Sequence, residues 1–256
     1  MKIRFLGTGT SQGVPVIACT CQVCSSTDVH DSRLRSSILI ELDNSKNIVI
    51  DTGPDFRYQM LREHITHVDA ILMTHSHKDH IAGLDDVRAF NFKQQESISI
   101  YTNNYTIEAL HREFYYAFAE VKYPGIPRIE LQEVFPSVSF EVLDQQITPI
   151  EVMHYKMPVL GFRIGDFAYI TDAKTVSEVS RELLKGVKVL VVNALQEQSH
   201  ISHFTLQEAL DFIADIGPEK AYLTHISHRF GKHEYIKSIL PENVFVAYDM
   251  LTIEIN

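Results

Sequence analysis

The stretch Thr74-His75-Ser76-His77-Lys78-Asp79-His80 contains three histidines and an aspartate within six residues. It follows the apolar run 70–73, which is typical of a buried strand. In an extended strand end, His75 and His77 point to the same side. We expect Asp79 to cap a helix that begins near His80, a turn that brings both side chains into one pocket. Three imidazoles and a carboxylate exceed what one tetrahedral zinc site usually takes from one loop, so the stretch predicts a paired-metal site.

Short apolar runs that are rich in Val and Ile recur along the chain and are typical of strands. They span residues 3–6, 38–42, 48–50, 70–73, 98–101, 140–143, 147–153, 160–164, 167–170, 187–192, 221–223, 244–247 and 251–255. The stretch 189–192 is continuously apolar, which predicts a strand that is buried on both faces.

Amphipathic segments with apolar residues three and four apart lie between these runs and predict helices. They span residues 55–64, 106–118, 176–184, 205–216 and 232–240. Thr205 and Glu208 form a capping-box pattern at the start of one of them. Because strands dominate and helices return in both halves, we expect a mixed α/β fold, a four-layer αββα sandwich. No linker interrupts the chain, so we expect residues 1–256 to form a single domain.

The composition restricts the classes of partner. The 256 residues include 23 basic and 33 acidic side chains, a formal net charge of −10. Such a charge disfavours nucleic acids and anionic membranes as partners. No apolar run reaches the roughly 18 to 20 residues of a membrane span, and the first residues lack a signal-peptide pattern, so we expect a cytoplasmic protein. The oligomeric state stays open, with a homodimer among the options.

The spacing His75-x-His77-x-Asp79-His80 resembles the signature of the metallo-β-lactamase fold. Candidates for that family's later ligands follow in the expected order, each after a predicted strand, at His154, Asp172 and His225. The resemblance implies an αββα hydrolase with two divalent metal ions, zinc or manganese, and a catalytic role for Asp79. The implied ligands are His75, His77 and His154 for one ion, Asp79, His80 and His225 for the other, and Asp172 as a bridge beside a hydroxide or water.

Asp51, in the turn-like stretch Ile50-Asp51-Thr52-Gly53, matches a family aspartate that lies behind the metal ligands. The resemblance implies that this carboxylate orients a ligating histidine through the second nitrogen of its ring.

A cysteine cluster, Cys19-x-Cys21-x-x-Cys24, offers three thiolates to a closed zinc site whose fourth ligand must come from elsewhere. Reduced cysteines in a loop are the alternative. With the stretch 7–15 (GTGTSQGVP) and the stretch 224–230 (THISHRF), the cluster resembles the phosphoribosyl 1,2-cyclic phosphate phosphodiesterase branch of the fold. That resemblance implies that His228 completes a structural zinc site.

The same branch places a histidine before the helix that starts at residue 205, here His203. The resemblance implies that His203 contacts the phosphate and serves as a general acid. We therefore expect a hydrolase that cleaves a small, cyclic phosphodiester through a hydroxide between two metals.

Four other functions stay open. They are a transfer-RNA 3′-processing ribonuclease, a thioester or lactone hydrolase, a pyrroloquinoline-quinone-pathway protein and a metal-stabilised binding protein without turnover. The ribonuclease needs an RNA-binding arm and basic surface, which this acidic chain lacks. Whether the aromatic segment 115–127 covers the site is also open, although its helical part is expected to pack on the core.

Overall fold

A computed structural model describes residues 1–120 and 123–255, and within them the chain forms fifteen strands and eight α-helices. The strands are β1 (Lys2–Gly7), β2 (Ser37–Glu41), β3 (Asn47–Ile50), β4 (Ala70–Leu72), β5 (Ile98–Thr102), β6 (Ile129–Glu133), β7 (Phe140–Val142), β8 (Gln145–His154), β9 (Met157–Ile164), β10 (Phe167–Ile170), β11 (Thr175–Val176), β12 (Val189–Asn193), β13 (Lys220–Thr224), β14 (Val244–Val246) and β15 (Thr252–Glu254). The helices are α1 (Phe56–Arg62), α2 (Lys78–Ile81), α3 (Arg88–Gln94), α4 (Asn104–Glu113), α5 (Tyr115–Phe118), α6 (Glu178–Leu184), α7 (Leu206–Ile216) and α8 (His233–Ile239).

The strands form two mixed sheets. In the described residues the first sheet has seven strands in the order β15-β1-β2-β3-β4-β5-β6. The second has eight strands, in the order β11-β8-β9-β10-β12-β13-β14 with β7 paired to β8. Both sheets combine antiparallel hairpins with parallel strands, and the parallel pairs are connected through helices.

Three apolar clusters define the layers of the molecule. One lies between the two sheets and joins residues such as Phe5 of β1 with Phe162 of β9. A second covers the outer face of the first sheet and includes Phe56 of α1. The third covers the outer face of the second sheet and includes Phe212 of α7. Helix, sheet, sheet and helix therefore stack in that order, which confirms the predicted αββα sandwich.

Alternation along the strands assigns each side chain to a layer. In β10, Phe167 and Tyr169 lie in the cluster between the sheets, while Ala168 and Ile170 lie in the cluster under the helices. The continuous run in β12 follows the same rule, because Leu190, Val191 and Val192 are all buried. The prediction of a strand covered on both faces is confirmed there.

The predicted strands and helices are present with shifts of a few residues at the ends, but the single helix predicted over 106–118 is wrong, because the chain forms two helices, α4 and α5, that are interrupted at Phe114. The capping box at Thr205 and Glu208 is also confirmed. Strands β6 and β11 and helix α3 were not predicted. The sequence of β6, Ile129-Glu130-Leu131-Gln132-Glu133, is mostly polar because it is the edge strand of its sheet.

The expected helix cap at Asp79 is wrong. Helix α2 begins at Lys78, its N-cap residue is His77, and Asp79 lies inside the first turn. The carboxylate is thereby free to face the neighbouring imidazole of His80, 3.1 Å away.

None of the helices in the described ranges has the length and apolar character that crossing a bilayer demands.

Candidate metal centre

Four chain segments bring the predicted ligands to one edge of the sandwich. His75 follows β4, and His154 is the last residue of β8. Asp172 follows β10 by two residues, and His225 follows β13 directly. Ends of neighbouring strands are the usual place for a site in an α/β fold.

The carboxylate of Asp172 lies at the middle of this group. Its oxygens lie 3.2 Å from Nδ1 of His225, 3.4 Å from Nε2 of His80, 3.7 Å from Nδ1 of His203 and 3.8 Å from Nε2 of His75. Asp172 is itself only 2% exposed. The buried carboxylate of Asp172 is therefore the group that all four imidazoles approach.

Possible ligand atoms fall into three groups that share Asp172, and within each group they lie within 4.8 Å of one another. The groups are Asp79, His80, Asp172 and His225; His75, His77 and Asp172; and His154, Asp172 and His203. The ring of His154 also lies 5.0 Å from that of His77 and 5.9 Å from that of His75. All seven residues of the expected dinuclear site are thus brought together.

The donor set fits divalent cations. Nε2 of His75, Nε2 of His80 and Nδ1 of His203 are buried and have no hydrogen-bond partner within the described chain. A buried polar atom without a partner lowers stability, and a bound cation would satisfy these lone pairs. Imidazole and carboxylate donors suit zinc and manganese alike.

Asp51 lies behind the cluster and is completely buried. One of its oxygens accepts a 2.7 Å hydrogen bond from Nδ1 of His80, and its carboxylate also accepts bonds from the backbone N and Oγ1 of Thr74 at 2.8 Å each. Thr74 Oγ1 in turn accepts from Nδ1 of His75 at 3.0 Å. Asp51 therefore aims Nε2 of His80 directly, and Nε2 of His75 through Thr74, towards Asp172.

Sequence reasoning missed Thr74 and Ser202. Thr74 stands directly before His75, and a hydroxyl next to a candidate ligand was the available signal. The carbonyl oxygen of Ser202 accepts a 2.9 Å bond from Nδ1 of His154, which leaves the other nitrogen of that ring to face the cluster. No side-chain pattern could have identified this contact, because the acceptor is a backbone atom.

Three residues of the centre have a left-handed backbone. The φ angles are 64° at Asp51, 56° at Asp172 and 58° at His225. Such a conformation costs a residue other than glycine about 1–3 kcal/mol and is concentrated at functional sites. The chain bends sharply just after a strand at each of these positions, which turns the side chain into the cluster.

Burial and neighbouring charged groups shift the pKa values of several residues in the cluster. Burial lowers the pKa of His75 well below its usual value and that of His203 to about 3. Burial alone would raise the pKa of Asp172, but His225, His80 and His203 hold it well below its ordinary value. Burial opposes the positive charge of His80 as well, yet Asp79 and Asp51 raise its pKa well above normal. The carboxylate of Asp172 is therefore ionised and available to a cation.

His203 lies inside the pocket and packs between two of the expected ligands. Its ring centroid is 4.4 Å from that of His154 and 4.9 Å from that of His225. His200 lies further out, with its ring 5.1 Å from His203, and forms part of the rim.

The three cysteines and His228 form a second cluster. Nδ1 of His228 lies 3.4 Å from the sulfur of Cys19 and 3.5 Å from those of Cys21 and Cys24. A hydrogen bond from the backbone of Cys24 and the contact with His228 lower the pKa of the Cys21 thiol to about 6, whereas burial raises that of Cys24 to about 11. Three thiols around one imidazole nitrogen match the donor set of a closed Cys₃His zinc site.

Backbone pairing couples the two clusters. Ile226 donates to the carbonyl of Thr8 at 2.9 Å, and Thr10 donates to the carbonyl of Ile226 at 3.2 Å. The hydroxyl of Thr10 also lies 3.2 Å from Nε2 of His225. The segment that carries His225 and His228 is therefore held against the N-terminal loop.

Tyr116, Ala117 and Tyr123 of the aromatic segment 115–127 contact residues outside the metal centre. Tyr116 is bound through its hydroxyl to Asp85 at 2.7 Å, and Ala117 is buried under the first sheet. Tyr123 lines a recess with Arg88 and other residues outside the metal centre. Residues 121 and 122 of the segment lie outside the described ranges.

Comparisons with known proteins agree with the fold. Residues 46–226 match the model of the Beta-lactamase superfamily domain. A protein of Porphyromonas gingivalis named octanoyltransferase is 39% identical over 252 residues, which is 98% of this chain and 51% of that protein. The chain therefore spans about half the length of this curated relative.

Solved structures that cover the whole chain show the same fold. A diphosphatase from the PhnP family is 38% identical, with a TM-score of 0.92 over 100% of this chain and 98% of the other. Zn²⁺-bound PqqB from Methylobacterium extorquens is 20% identical, with a TM-score of 0.80 over 100% of both chains, and at that identity it shows the fold alone.

Proposed function

Because this chain belongs to the beta-lactamase superfamily and has the fold of its metal-dependent hydrolases, we propose that it cleaves a small phosphodiester, with cyclic phosphodiesters as the preferred class. The observation that carries this proposal is the buried carboxylate of Asp172, around which three groups of possible ligand atoms converge. Full-length similarity to a PhnP-family diphosphatase supports phosphorus as the atom attacked.

Each expected ligand has a place in the proposal. His75, His77 and His154 would hold one divalent ion, Asp79, His80 and His225 the other, and Asp172 would lie between them. When bound, two such ions make water nucleophilic at neutral pH and offset negative charge on phosphoryl oxygens. Zinc and manganese both suit the donors, and the Cys₃His cluster would hold a separate structural zinc.

The protein's own residues would supply orientation and a dry environment. Asp51 and Thr74 keep His80 and His75 in one tautomer, with the unbonded nitrogen facing the pocket. His203 has a buried ring nitrogen that finds no hydrogen-bond partner among the described residues, and it reaches the same pocket. We assign it to a hydrogen bond with the substrate phosphate, and the general-acid role stays a prediction.

Acyl-thioester hydrolysis is the second candidate. The relative named octanoyltransferase favours it, since that name denotes acyl chemistry. However, this chain corresponds to only 51% of that relative, and the name does not say which half transfers the acyl group. A transfer-RNA substrate is disfavoured by the net charge of −10.

A substrate screen tests the proposal. Purified protein supplied with manganese or zinc should hydrolyse bis-p-nitrophenyl phosphate and a ribose cyclic phosphate, and should act poorly on p-nitrophenyl phosphate and octanoyl-coenzyme A. Asp172→Ala should abolish the turnover of diesters. Asp166→Ala is the matched control, because this carboxylate precedes the same strand at its other end and binds Lys188. Rapid thioester hydrolysis without turnover of diesters would refute the proposed function.

A further inference from the structure

The turn between β8 and β9 contains a strained aromatic residue. His154 pairs with Met157, so the turn consists of Tyr155 and Lys156 alone. Tyr155 has a φ of 56°, which is the left-handed region. Two-residue hairpin turns favour Gly, Asn or Asp where φ is positive, because a larger side chain is strained there.

Packing does not compensate for this strain. Tyr155 is 55% exposed and belongs to none of the apolar clusters identified in the described chain. The turn at the opposite end of β8 provides a contrast. There Leu143 has a φ of 53°, but its side chain packs against the cluster between the sheets. An exposed residue whose backbone is strained without a packing benefit points to a role in binding.

The position of Tyr155 suits such a role. It directly follows His154, and consecutive Cα atoms are only about 3.8 Å apart. The ring of His154 lies 4.4 Å from that of His203 and 5.0 Å from that of His77, so this turn forms the rim of the metal centre.

A positive charge accompanies the ring. Nζ of Lys156 lies 5.3 Å from the centroid of the Tyr155 ring. Among the described residues, Lys156 has no carboxylate within ion-pair distance, whereas Lys78 and Lys174 are paired with Glu113 and Glu208. A cation over one face of the ring leaves the opposite face available for stacking against a flat group.

We propose that Tyr155 is a binding residue that stacks against a nucleobase of the substrate, with Lys156 supplying a positive charge beside the phosphate. The substrate class is then a nucleotide-like phosphodiester instead of a bare sugar phosphate. This inference rests on the proposed function and adds a recognition surface to it. Stacking of a base on an aromatic side chain is a sequence-tolerant source of affinity, because every base has a flat face.

A matched pair of substrates tests the proposal on the metal-loaded protein. Adenosine 2′,3′-cyclic phosphate and methyl ribofuranoside 2,3-cyclic phosphate share the reacting group and differ in the base. Tyr155→Ala should raise KM for the adenosine substrate about tenfold, within the range measured for loss of one base stack, and should leave kcat unchanged. KM for the methyl riboside should not change, and Tyr155→Phe should behave like the wild type.

Thermal unfolding gives a second, independent measurement. Tyr155→Asn should keep or raise the melting temperature, because asparagine tolerates a positive φ, yet it should raise KM for the adenosine substrate. Leu143→Asn, at the equivalent position of the opposite turn, should lower the melting temperature and leave both KM values unchanged.

The two proposals fail in distinguishable ways. If the wild type hydrolyses neither bis-p-nitrophenyl phosphate nor a cyclic phosphate, the proposed function fails and this inference fails with it. Turnover of bis-p-nitrophenyl phosphate without turnover of either cyclic phosphate overturns the inference alone. If both substrates are hydrolysed and Tyr155→Ala changes both KM values equally or neither, the inference about Tyr155 alone is overturned.

Discussion

Single residues at the centre are positioned by strain and by buried hydrogen bonds. Asp51, Asp172 and His225 all have left-handed backbones, and each follows a strand of the sandwich. The rigid strand that precedes each residue helps to maintain these conformations, which isolated peptides would seldom adopt. The side chains are consequently directed into the pocket before any ligand arrives, which reduces the free energy lost in ordering them.

The role of Asp51 can be measured through metal affinity. Asp51→Asn should weaken the affinity of the dinuclear centre for zinc by about 10- to 100-fold, as is typical when a carboxylate behind a ligating histidine is lost. The amide can still be accommodated, but it presents only one acceptor oxygen to Thr74 and His80. Competition with a chromogenic chelator gives the dissociation constant.

Asp55→Asn provides the control for this measurement. Asp55 lies four residues further along and binds Arg35 instead of a histidine of the centre. Its variant should keep the wild-type affinity. Equal zinc affinity in the Asp51 variant and the wild type would contradict the orienting role.

At the scale of elements, the long N-terminal loop and the segment after β13 form one unit. The loop carries three cysteines, and the segment carries His225 and His228. Backbone pairing between Gly9 and Ile226 holds them together. A metal on the cysteine cluster would join points about two hundred residues apart in the chain, which restricts the unfolded ensemble strongly.

Cys21→Ser should therefore lower the melting temperature, since a structural zinc contributes free energy of folding. A chain of this size loses about 2–4 °C for each kcal/mol, so calorimetry should detect the shift. Thr20→Ser, between two of the cysteines, should leave the melting temperature unchanged. An unchanged melting temperature with lost turnover in Cys21→Ser would instead assign the cysteine cluster to catalysis.

At the scale of the whole molecule, the two packed sheets gather ligands from most of the chain. Residues between His75 and His225 converge on one carboxylate, and a second cluster forms at the same edge. Both clusters lie in a protein whose net charge is −10, so cations are attracted over long range while an anionic substrate depends on local positive charge.

Elemental analysis of protein never exposed to a chelator should find three metal ions per chain, two at the dinuclear centre and one at the cysteine cluster. Prolonged dialysis against a strong chelator should lower the melting temperature, because bound ions stabilise only the folded state. One ion or fewer in fully active protein would contradict a two-metal centre.

Local patterns by themselves determined most of the elements. Apolar runs bounded by polar residues identified strands, and Thr205 and Glu208 marked the start of a helix, because both signals arise from neighbours in sequence. The edge strand β6 was not predicted, since polar residues dominate this exposed edge and only Ile129 and Leu131 are apolar. The cap expected at Asp79 was wrong because several residues of that stretch could precede a helix, and in the structure His77 is the N-cap residue.

The sequence alone also determined the chemical types at the centre, since the spacing of His75, His77, Asp79 and His80 is local. Only the tertiary structure decided how distant residues meet. The approach of Asp172 to four imidazoles and the bond from His154 to the backbone of Ser202 depend on how the two sheets pack and where their strands end. Contacts of this kind join residues far apart in the chain, so no local pattern encodes them, and it is the buried core between the sheets that brings them together.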